Sequence, residues 1–286
     1  MIYYGMLAGA SVMFGTQFLF TQMFRKSYKG NSIEATAVSG FGGAVFGLFS
    51  MFVVNGFCFE YSHFAMVMAV IQTISGLLFT FCSMKALGKI NLSLYSIFSM
   101  LGGMALPFAA GILFFDEELT WAKSIGLLLI VLSFLFTLKK DTDHSNGTEK
   151  IYYIGVFIFN GMSGVLSKIY YAAPYERISA AGYSILTAIL SAGVYLGMLL
   201  YLKPNIKMLN TKAIAGIFGS GVLNKVANWL LLVALVYVPA SAQYPFITGG
   251  TMITSTSLAY LTKNKPGKKE FLAVWIALVG VIVLIM

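Results

Sequence analysis

The sequence predicts an all-α membrane protein with ten transmembrane helices, arranged as two inverted repeats of five helices. Ten apolar stretches, each of roughly the length that crosses a bilayer core, fill nearly all of the 286 residues. Apolar residues make up 58% of the chain and charged residues only 10%, too few to coat a soluble protein of this size. One long polar run, residues 139–150, separates the stretches into five and five.

The apolar stretches define the predicted helices in chain order, and the short joints between them carry almost all of the charge. Glycine is abundant, at 29 residues, and small residues let membrane helices approach closely. The predicted helices span residues 2–23, 32–55, 64–84, 90–115, 121–138, 151–172, 178–202, 211–237, 240–262 and 270–286.

The two halves are predicted to have opposite membrane orientations. The first repeat is 1–138, the linker is 139–150 and the second repeat is 151–286. Because each half has an odd number of spans, the second half starts from the other side of the membrane, which is the geometry of an inverted repeat. Paired glycines in segments four and nine, at 102–103 and 249–250, fit the same symmetry.

The distribution of the basic residues indicates the orientation of the chain in the membrane and not nucleic-acid binding. The net charge is +9, but the basic residues are spread over short loops and form no single basic face. The odd-numbered joints hold fifteen Lys or Arg, whereas the even-numbered joints hold three, namely Lys123, Lys168 and Arg177. Since positively charged loops stay in the cytoplasm, we expect a multi-pass protein of the cytoplasmic membrane with both termini outside.

Several motifs resemble those of the drug/metabolite transporter superfamily, in particular its EamA-like family. They are the stretch 85–96 (KALGKINLSLYS), Pro107 inside segment four, the turn 115–120 (FDEELT) and the helix start at 124–126. The resemblance implies a substrate cavity between the two halves, lined by segments such as one, three, four, six, eight and nine. Members of the family generally have both termini in the cytoplasm, and the Lys/Arg bias of this chain predicts the reverse.

Lys225 is the most informative single residue, because it lies near the centre of segment eight while every acidic residue lies in a joint or near a segment end. A charge at this depth is costly and usually faces a water-filled cavity or a partner. Gly221, Asn224, Asn228 and Trp229 share its helical face. This stripe is interpreted either as a cavity wall that binds a carboxylate or phosphate, or as a packing face on which the lysine binds backbone carbonyls.

Weaker polar faces on segments one, three, four, six and nine add further candidates, although Ser, Thr and Gly at helical spacing also mark helix packing. The acidic pair Glu117 and Glu118 is predicted to cap the start of segment five, together with Thr120. The predicted substrate-binding residues are Lys225, Asn224, Asn228, Trp229, Tyr244, Gln243, Thr248, Asn160, Gln72, Tyr95 and Gln17.

The predicted function is secondary active transport by alternating access. A lone buried lysine favours a small polar metabolite that is anionic, zwitterionic or like an amino acid. Segment one lacks the membrane glutamate with which small multidrug members of the superfamily export cations. A lipid flippase with Lys225 at a phosphate, or an intramembrane protein that transports nothing, remains the alternative.

The chain has no Walker A loop, zinc motif or other enzymatic motif. Its two cysteines, Cys58 and Cys82, suggest neither a disulfide framework nor a metal site, and no cofactor or metal is expected. The expected partners are the substrate and the lipid bilayer, with protons or an exchanged solute as candidates for coupling. Because ten spans in one chain complete the inverted pair, we expect a monomer or a homodimer.

Overall fold

The computed structural model describes residues 2–87, 92–137, 147–205, 208–261 and 268–285. Within these ranges the chain forms ten α-helices and no strand, which confirms the all-helical prediction. The first four residues of the sixth helix lie in the predicted linker. The helices are α1 Ile2–Ser27, α2 Ser32–Val54, α3 His63–Leu87, α4 Leu92–Phe114, α5 Trp121–Thr137, α6 Gly147–Ala172, α7 Ala180–Leu202, α8 Thr211–Ala234, α9 Ala240–Leu261 and α10 Lys268–Ile285.

Short polar side chains fix where several helices begin, because the first N–H groups of a helix have no partner inside it. Asn31 accepts a hydrogen bond from the Glu34 N–H at the start of α2, at 2.8 Å. Asn210 does the same for the Ala213 N–H of α8, also at 2.8 Å. Lys203, with a φ of 45°, ends α7 in the left-handed conformation. These local signals place the breaks between apolar segments.

The two halves of the chain interleave instead of forming separate bodies. The most extensive helix contacts all join a helix of the first half to one of the second. α1 packs on α8 and α9, α6 packs on α3 and α4, α2 packs on α7 and α8, and α5 packs on α10. The space at the centre of the bundle is therefore enclosed by both halves.

The bundle has two distinct ends. At the glutamate end, the loop 55–62 contacts the loop 173–179, and the loop 115–120 contacts the start of α9. At the lysine end, the end of α1 lies beside the start of α8, where the Asn210 amide approaches the Ser27 carbonyl at 3.5 Å. Lys29 and Lys203 belong to the loops of the lysine end.

The exterior of the bundle is apolar while polar side chains are buried within it. Four described helical spans are long and apolar enough to cross a membrane: Ile33–Val54, His63–Cys82, Ala180–Leu202 and Thr211–Ala234. Phe49 and Leu200 on these helices are 62% and 68% exposed, whereas Gln243 inside the bundle is fully buried. The large apolar side chains exposed along these helices are unusual for a water-soluble protein, which rarely exposes an extended apolar surface.

Glycines allow the closest approach between α2 and α8, and one substitution tests this contact. A Cβ atom at Gly221 would lie 2.7 Å from both the Cα and the carbonyl oxygen of Gly43, backbone atoms that have little freedom to move aside. We expect Gly221→Ala to lower the free energy of unfolding by about 2 kcal/mol. Gly193→Ala in α7 is the matched control, since nothing lies within 4 Å of its Cβ position. Unfolding in mixed micelles, followed by circular dichroism, measures both; equal stability of the two variants contradicts the prediction.

Candidate functional site

Two polar cavities lie inside the bundle and meet at Lys225. The inner cavity, of about 320 Å³, lies between α3, α6, α7, α8 and α9. The outer cavity, of about 430 Å³, lies between α1, α2, α3, α7 and α8 and includes the exposed Thr21, close to the lysine end. Thr80, Ser191, Tyr195, Asn224 and Lys225 line both cavities. Because the two cavities share these residues, they are adjacent, and we call them together the path; it extends from near the lysine end to the middle of the bundle.

Lys225 projects into this path with most of its hydrogen-bonding capacity unused. Its Nζ donates one hydrogen bond, to the Thr187 hydroxyl at 3.3 Å. Across the described ranges no carboxylate forms an ion pair with it. A lysine ammonium has three N–H donors, so two remain for a bound molecule. The lysine stem lies against Gly47, where any Cβ would overlap its Cγ atom.

Amide side chains hold the walls of the path together. The Asn224 amide donates to the Gln17 carbonyl oxygen at 3.1 Å, which joins α8 to α1. The Asn228 amide donates to the Asn224 backbone carbonyl at 2.8 Å. The Gln72 amide donates to the Ser163 hydroxyl at 2.5 Å, which joins α3 to α6. These bonds fix the helices that position Lys225.

Aromatic rings close the inner cavity toward the glutamate end. The Tyr183 ring, which lines the cavity, stacks on Tyr170 with 4.3 Å between centroids, and Tyr170 stacks on Phe64 at 5.6 Å. Tyr244 also lines the cavity and donates from its hydroxyl to the Gly164 carbonyl at 3.2 Å. The Tyr183 hydroxyl is buried and has no hydrogen-bond partner within the part of the chain that the structure describes.

Two carboxylates tie the halves together at the glutamate end. Glu60 accepts hydrogen bonds from the Ser179 N–H at 2.7 Å and from the Ser179 hydroxyl at 2.6 Å, at the start of α7. Glu117 accepts from the Ala240 and Ser241 N–H groups, at 2.9 and 2.8 Å, at the start of α9. We call these two sets of bonds the Glu60 latch and the Glu117 latch. Both place a negative charge at a helix N-terminus, where the helix dipole favours it.

The Glu117 latch also contains an ion pair and corrects one prediction. Lys168 Nζ lies 2.6 Å from the Glu117 carboxylate, whose side chain is only 7% exposed. Glu117 therefore caps α9, whereas the sequence predicted that the pair Glu117 and Glu118 caps α5. Thr120 does cap α5, accepting from the Lys123 N–H at 3.2 Å. The loop 115–120 thus fixes helices from both halves.

The same hydrogen bonds stabilise the ionised form of both carboxylates. Burial by itself raises the pKa of Glu117, but the bonds from Lys168, Ser241 and Ala240 outweigh it and lower the pKa below its ordinary value of 4.5. Burial likewise raises the pKa of Glu60, and the bonds from Ser179 and Asn55 lower it below 4.5. Both groups are charged at neutral pH, when the latches are complete.

These lowered pKa values predict acid lability of the folded state. A carboxyl whose pKa is lower folded than unfolded stabilises the fold above the unfolded pKa, and this contribution is lost as the pH falls through the folded pKa. We expect the melting temperature to fall steeply below about pH 4.5. The double variant Glu60→Gln/Glu117→Gln is expected to melt lower at pH 7 and to lose less on acidification. Exposed Glu118→Gln is the control, and an unchanged acid slope in the double variant contradicts the prediction.

The structure brings together six of the eleven predicted substrate-binding residues. Lys225, Asn224, Asn228, Tyr244 and Gln72 line the inner cavity, and Gln17 joins Lys225 and Asn224 in the outer cavity. The other five residues are not among the lining residues that the structure describes; they are Trp229, Gln243, Thr248, Asn160 and Tyr95.

Three of those five residues make bonds within or between helices instead. Gln243 donates to the Leu231 carbonyl at 3.0 Å, Asn160 to the Ser99 carbonyl at 2.6 Å, and Thr248 to the Tyr244 carbonyl at 2.8 Å. Trp229 is half-buried on α8. Tyr95 belongs to α4, but its side chain lies outside the described part of the structure.

The prediction missed the contribution of α7. Tyr183, Thr187, Ser191 and Tyr195 line one or both cavities, and Ser184 lines the inner one. The first four recur every fourth residue, which places them along one face of a helix. This spacing is the one signal of the face in the sequence, and packing faces of membrane helices have the same spacing.

Comparison with known proteins identifies the fold. No family model matches the sequence, and no curated protein matches it. Among solved structures, 29 chains match. One is a crystal structure described only as that of a protein; it aligns over 99% of this chain and 98% of that chain, with a TM-score of 0.75 and 16% sequence identity. At this identity the similarity shows a shared fold alone.

Proposed function

We propose that the protein is a secondary active transporter of the cytoplasmic membrane that moves a small polar metabolite by alternating access. Lys225 carries the proposal. It is a charged residue in the middle of an apolar helix, it has no acidic partner among the described residues, and it stands where two polar cavities meet. Ionisable residues at such depth commonly mark a substrate or ion pathway.

The surface of the bundle supports a membrane location. In addition to the four long spans, Ser99–Phe114, Trp121–Ser133 and Phe271–Leu284 are shorter apolar helical segments. Exposed apolar side chains cover the outside of the bundle, as on Phe49 and Leu200. In a bilayer this apolar surface contacts lipid instead of water, and the hydrogen bonds of the polar interior are unchanged. We therefore propose that all ten helices cross the membrane.

The pattern of helix contacts supports two inverted repeats, 1–138 and 151–286. The two repeats relate each helix to the one five places along the chain, so that α1 corresponds to α6 and α3 to α8. Under this correspondence the contacting pairs α1–α8, α4–α6 and α2–α8 become α6–α3, α9–α1 and α7–α3, which are also in contact. The pairs α2–α7, α4–α9 and α5–α10 map onto themselves. A pseudo-two-fold axis in the membrane plane produces this pattern. From the motifs at 85–96, Pro107 and 115–120, we propose that the chain belongs to the EamA-like branch of the drug/metabolite transporters.

The difference between the two ends supports alternating access. The outer cavity leads to the lysine end, whereas the latches and the stacked rings of Phe64, Tyr170 and Tyr183 close the glutamate end. With the lysine end in the cytoplasm, this is an inward-open state. Opening the other side requires both latches to release, because each joins the first half to the second. Rocking of the repeats about Lys225 then exposes the same residue to either side.

Reconstitution of the full chain into liposomes tests the proposed function. A thermal-shift screen first selects ligands, since a bound ligand stabilises the folded state. Saturable counterflow of a selected water-soluble solute supports transport, and imposed pH or solute gradients identify the coupling partner. Translocation of fluorescent phospholipid without solute transport contradicts the proposal in favour of a flippase. Absence of both activities from a folded, monodisperse protein also contradicts it.

A further inference from the structure

The charges along the path restrict what it can bind. Lys225 is the one charged side chain among the described residues that line either cavity, and the remaining lining is hydroxyl, amide, small or apolar. Glu117 is already bonded to Lys168 and to the start of α9. A ligand with an ammonium group would find no carboxylate in the lining and would be repelled by Lys225. A ligand that carries only negative charge meets no such opposition.

The inner cavity offers a second specific contact. Tyr183 is one of the residues that line the cavity, and its buried hydroxyl has no partner within the described residues. Buried tyrosine hydroxyls nearly always have a hydrogen-bond partner. Tyr183 precedes Thr187 by one helical turn, or about 6 Å along α7. A molecule bound at Lys225 and Thr187 therefore extends toward a donor that lacks an acceptor.

We propose that the site binds a small organic anion without an ammonium group, with its carboxylate or phosphate at Lys225 and Thr187 and a second oxygen accepting from Tyr183. The proposal rests on the proposed function and narrows its substrate class from anionic or zwitterionic solutes to anions. An inner cavity of about 320 Å³ suits a short-chain acid better than a lipid. The second oxygen is a hydroxyl, a carbonyl or a second carboxylate.

Matched ligand pairs test the charge requirement. We would measure binding to the purified full chain by calorimetry and thermal shift with lactate against alanine, malate against aspartate, and 2-hydroxyethyl phosphate against phosphoethanolamine. The members of each pair differ mainly by a hydroxyl in place of an ammonium. At least one anion is expected to bind about tenfold or more tightly than its ammonium partner. Equal binding within the pairs, binding of the ammonium members alone, or no binding of any anion by the folded protein overturns the proposal.

Two substitutions test the contacts. Tyr183→Phe is expected to weaken anion binding about fivefold and to leave the melting temperature of the ligand-free protein unchanged, because the lost hydroxyl had no partner. Tyr201→Phe, at an exposed tyrosine of the same helix, is the control. Lys225→Met is expected to remove anion binding, and Lys225→Arg to retain part of it. Unchanged anion binding in Tyr183→Phe overturns the assignment of the second oxygen.

The binding assay separates this inference from the proposed function. Selective anion binding without counterflow supports the anion site and contradicts transport. Lys225-dependent counterflow of alanine, with no binding of lactate, malate or 2-hydroxyethyl phosphate, supports transport and overturns the anion site. Short-chain phosphatidic acid provides the lipid arm: its binding in the absence of binding by the water-soluble anions also overturns the proposal.

Discussion

Lys225→Met is expected to reduce solute uptake by proteoliposomes at least about 100-fold while the protein remains folded. The ammonium group donates one bond to Thr187 and has two donors for the solute. Bonds to a charged group contribute about 1.5–3 kcal/mol each, so loss of two of them accounts for a change of this size. Methionine keeps an unbranched stem that fits against Gly47. Initial rates of counterflow, normalised to reconstituted protein, measure the effect.

The controls separate charge from position. Lys212→Met removes a lysine from the exposed first turn of the same helix and is expected to retain full uptake. Lys225→Arg keeps the charge but presents a planar fork of different geometry, and we expect an intermediate rate. Wild-type uptake by Lys225→Met excludes the role proposed for this residue.

Stability distinguishes the two interpretations of Lys225 that the sequence left open. A lysine that fixes helix packing through backbone carbonyls stabilises the fold, and its removal lowers the melting temperature. A lysine held for a ligand costs stability in the empty protein, since its charge is buried among apolar helices. We therefore expect Lys225→Met to melt at the same temperature as the wild type or higher. A functional residue retained at a cost to stability is common at binding sites.

The sequence predicts the helices and the α8 stripe well because both depend on local periodicity. Apolar length sets the ten segments, and the spacing of Asn224, Lys225 and Asn228 sets one face of α8. The contribution of α7 was missed because hydroxyl residues at helical spacing mark packing faces as often as cavities. Thr187 becomes informative only when α8 brings Lys225 beside it.

The partners of the buried amides and carboxylates cannot be predicted from the local sequence. Gln243 and Gln72 are both amides in apolar helices, yet one bonds the Leu231 carbonyl within the core and the other lines the inner cavity. No feature of the local sequence separates the two cases. Glu117 was assigned to the nearest helix start, but its partner Ala240 lies 123 residues away. Such partners depend on tertiary packing, and only the folded structure shows which polar groups share a cavity.

Glu117→Gln is expected to weaken closure of the glutamate end. The substitution removes the charge that pairs with Lys168, and a glutamine has one carbonyl oxygen where the carboxylate used two oxygens for the Ala240 and Ser241 N–H groups. The closed arrangement then loses about 1–3 kcal/mol relative to an open one. This corresponds to a rise of roughly 5- to 150-fold in the ratio of open to closed molecules. The open arrangement should become directly observable in the variant.

Spin labels at exposed positions of two loops measure that ratio. Leu119→Cys and Tyr175→Cys place labels on loops of the first and second half at the glutamate end, in a background in which the exposed Cys58 is replaced by serine. Pulsed electron resonance is expected to give one short distance in the otherwise wild-type protein and an added, longer distance in Glu117→Gln. Glu118→Gln, at the neighbouring exposed carboxylate, should keep the single distance. Lys168→Met should reproduce part of the effect, because it removes the ion pair but leaves both N–H bonds of the latch. An unchanged distance distribution in Glu117→Gln means that the latch does not control opening.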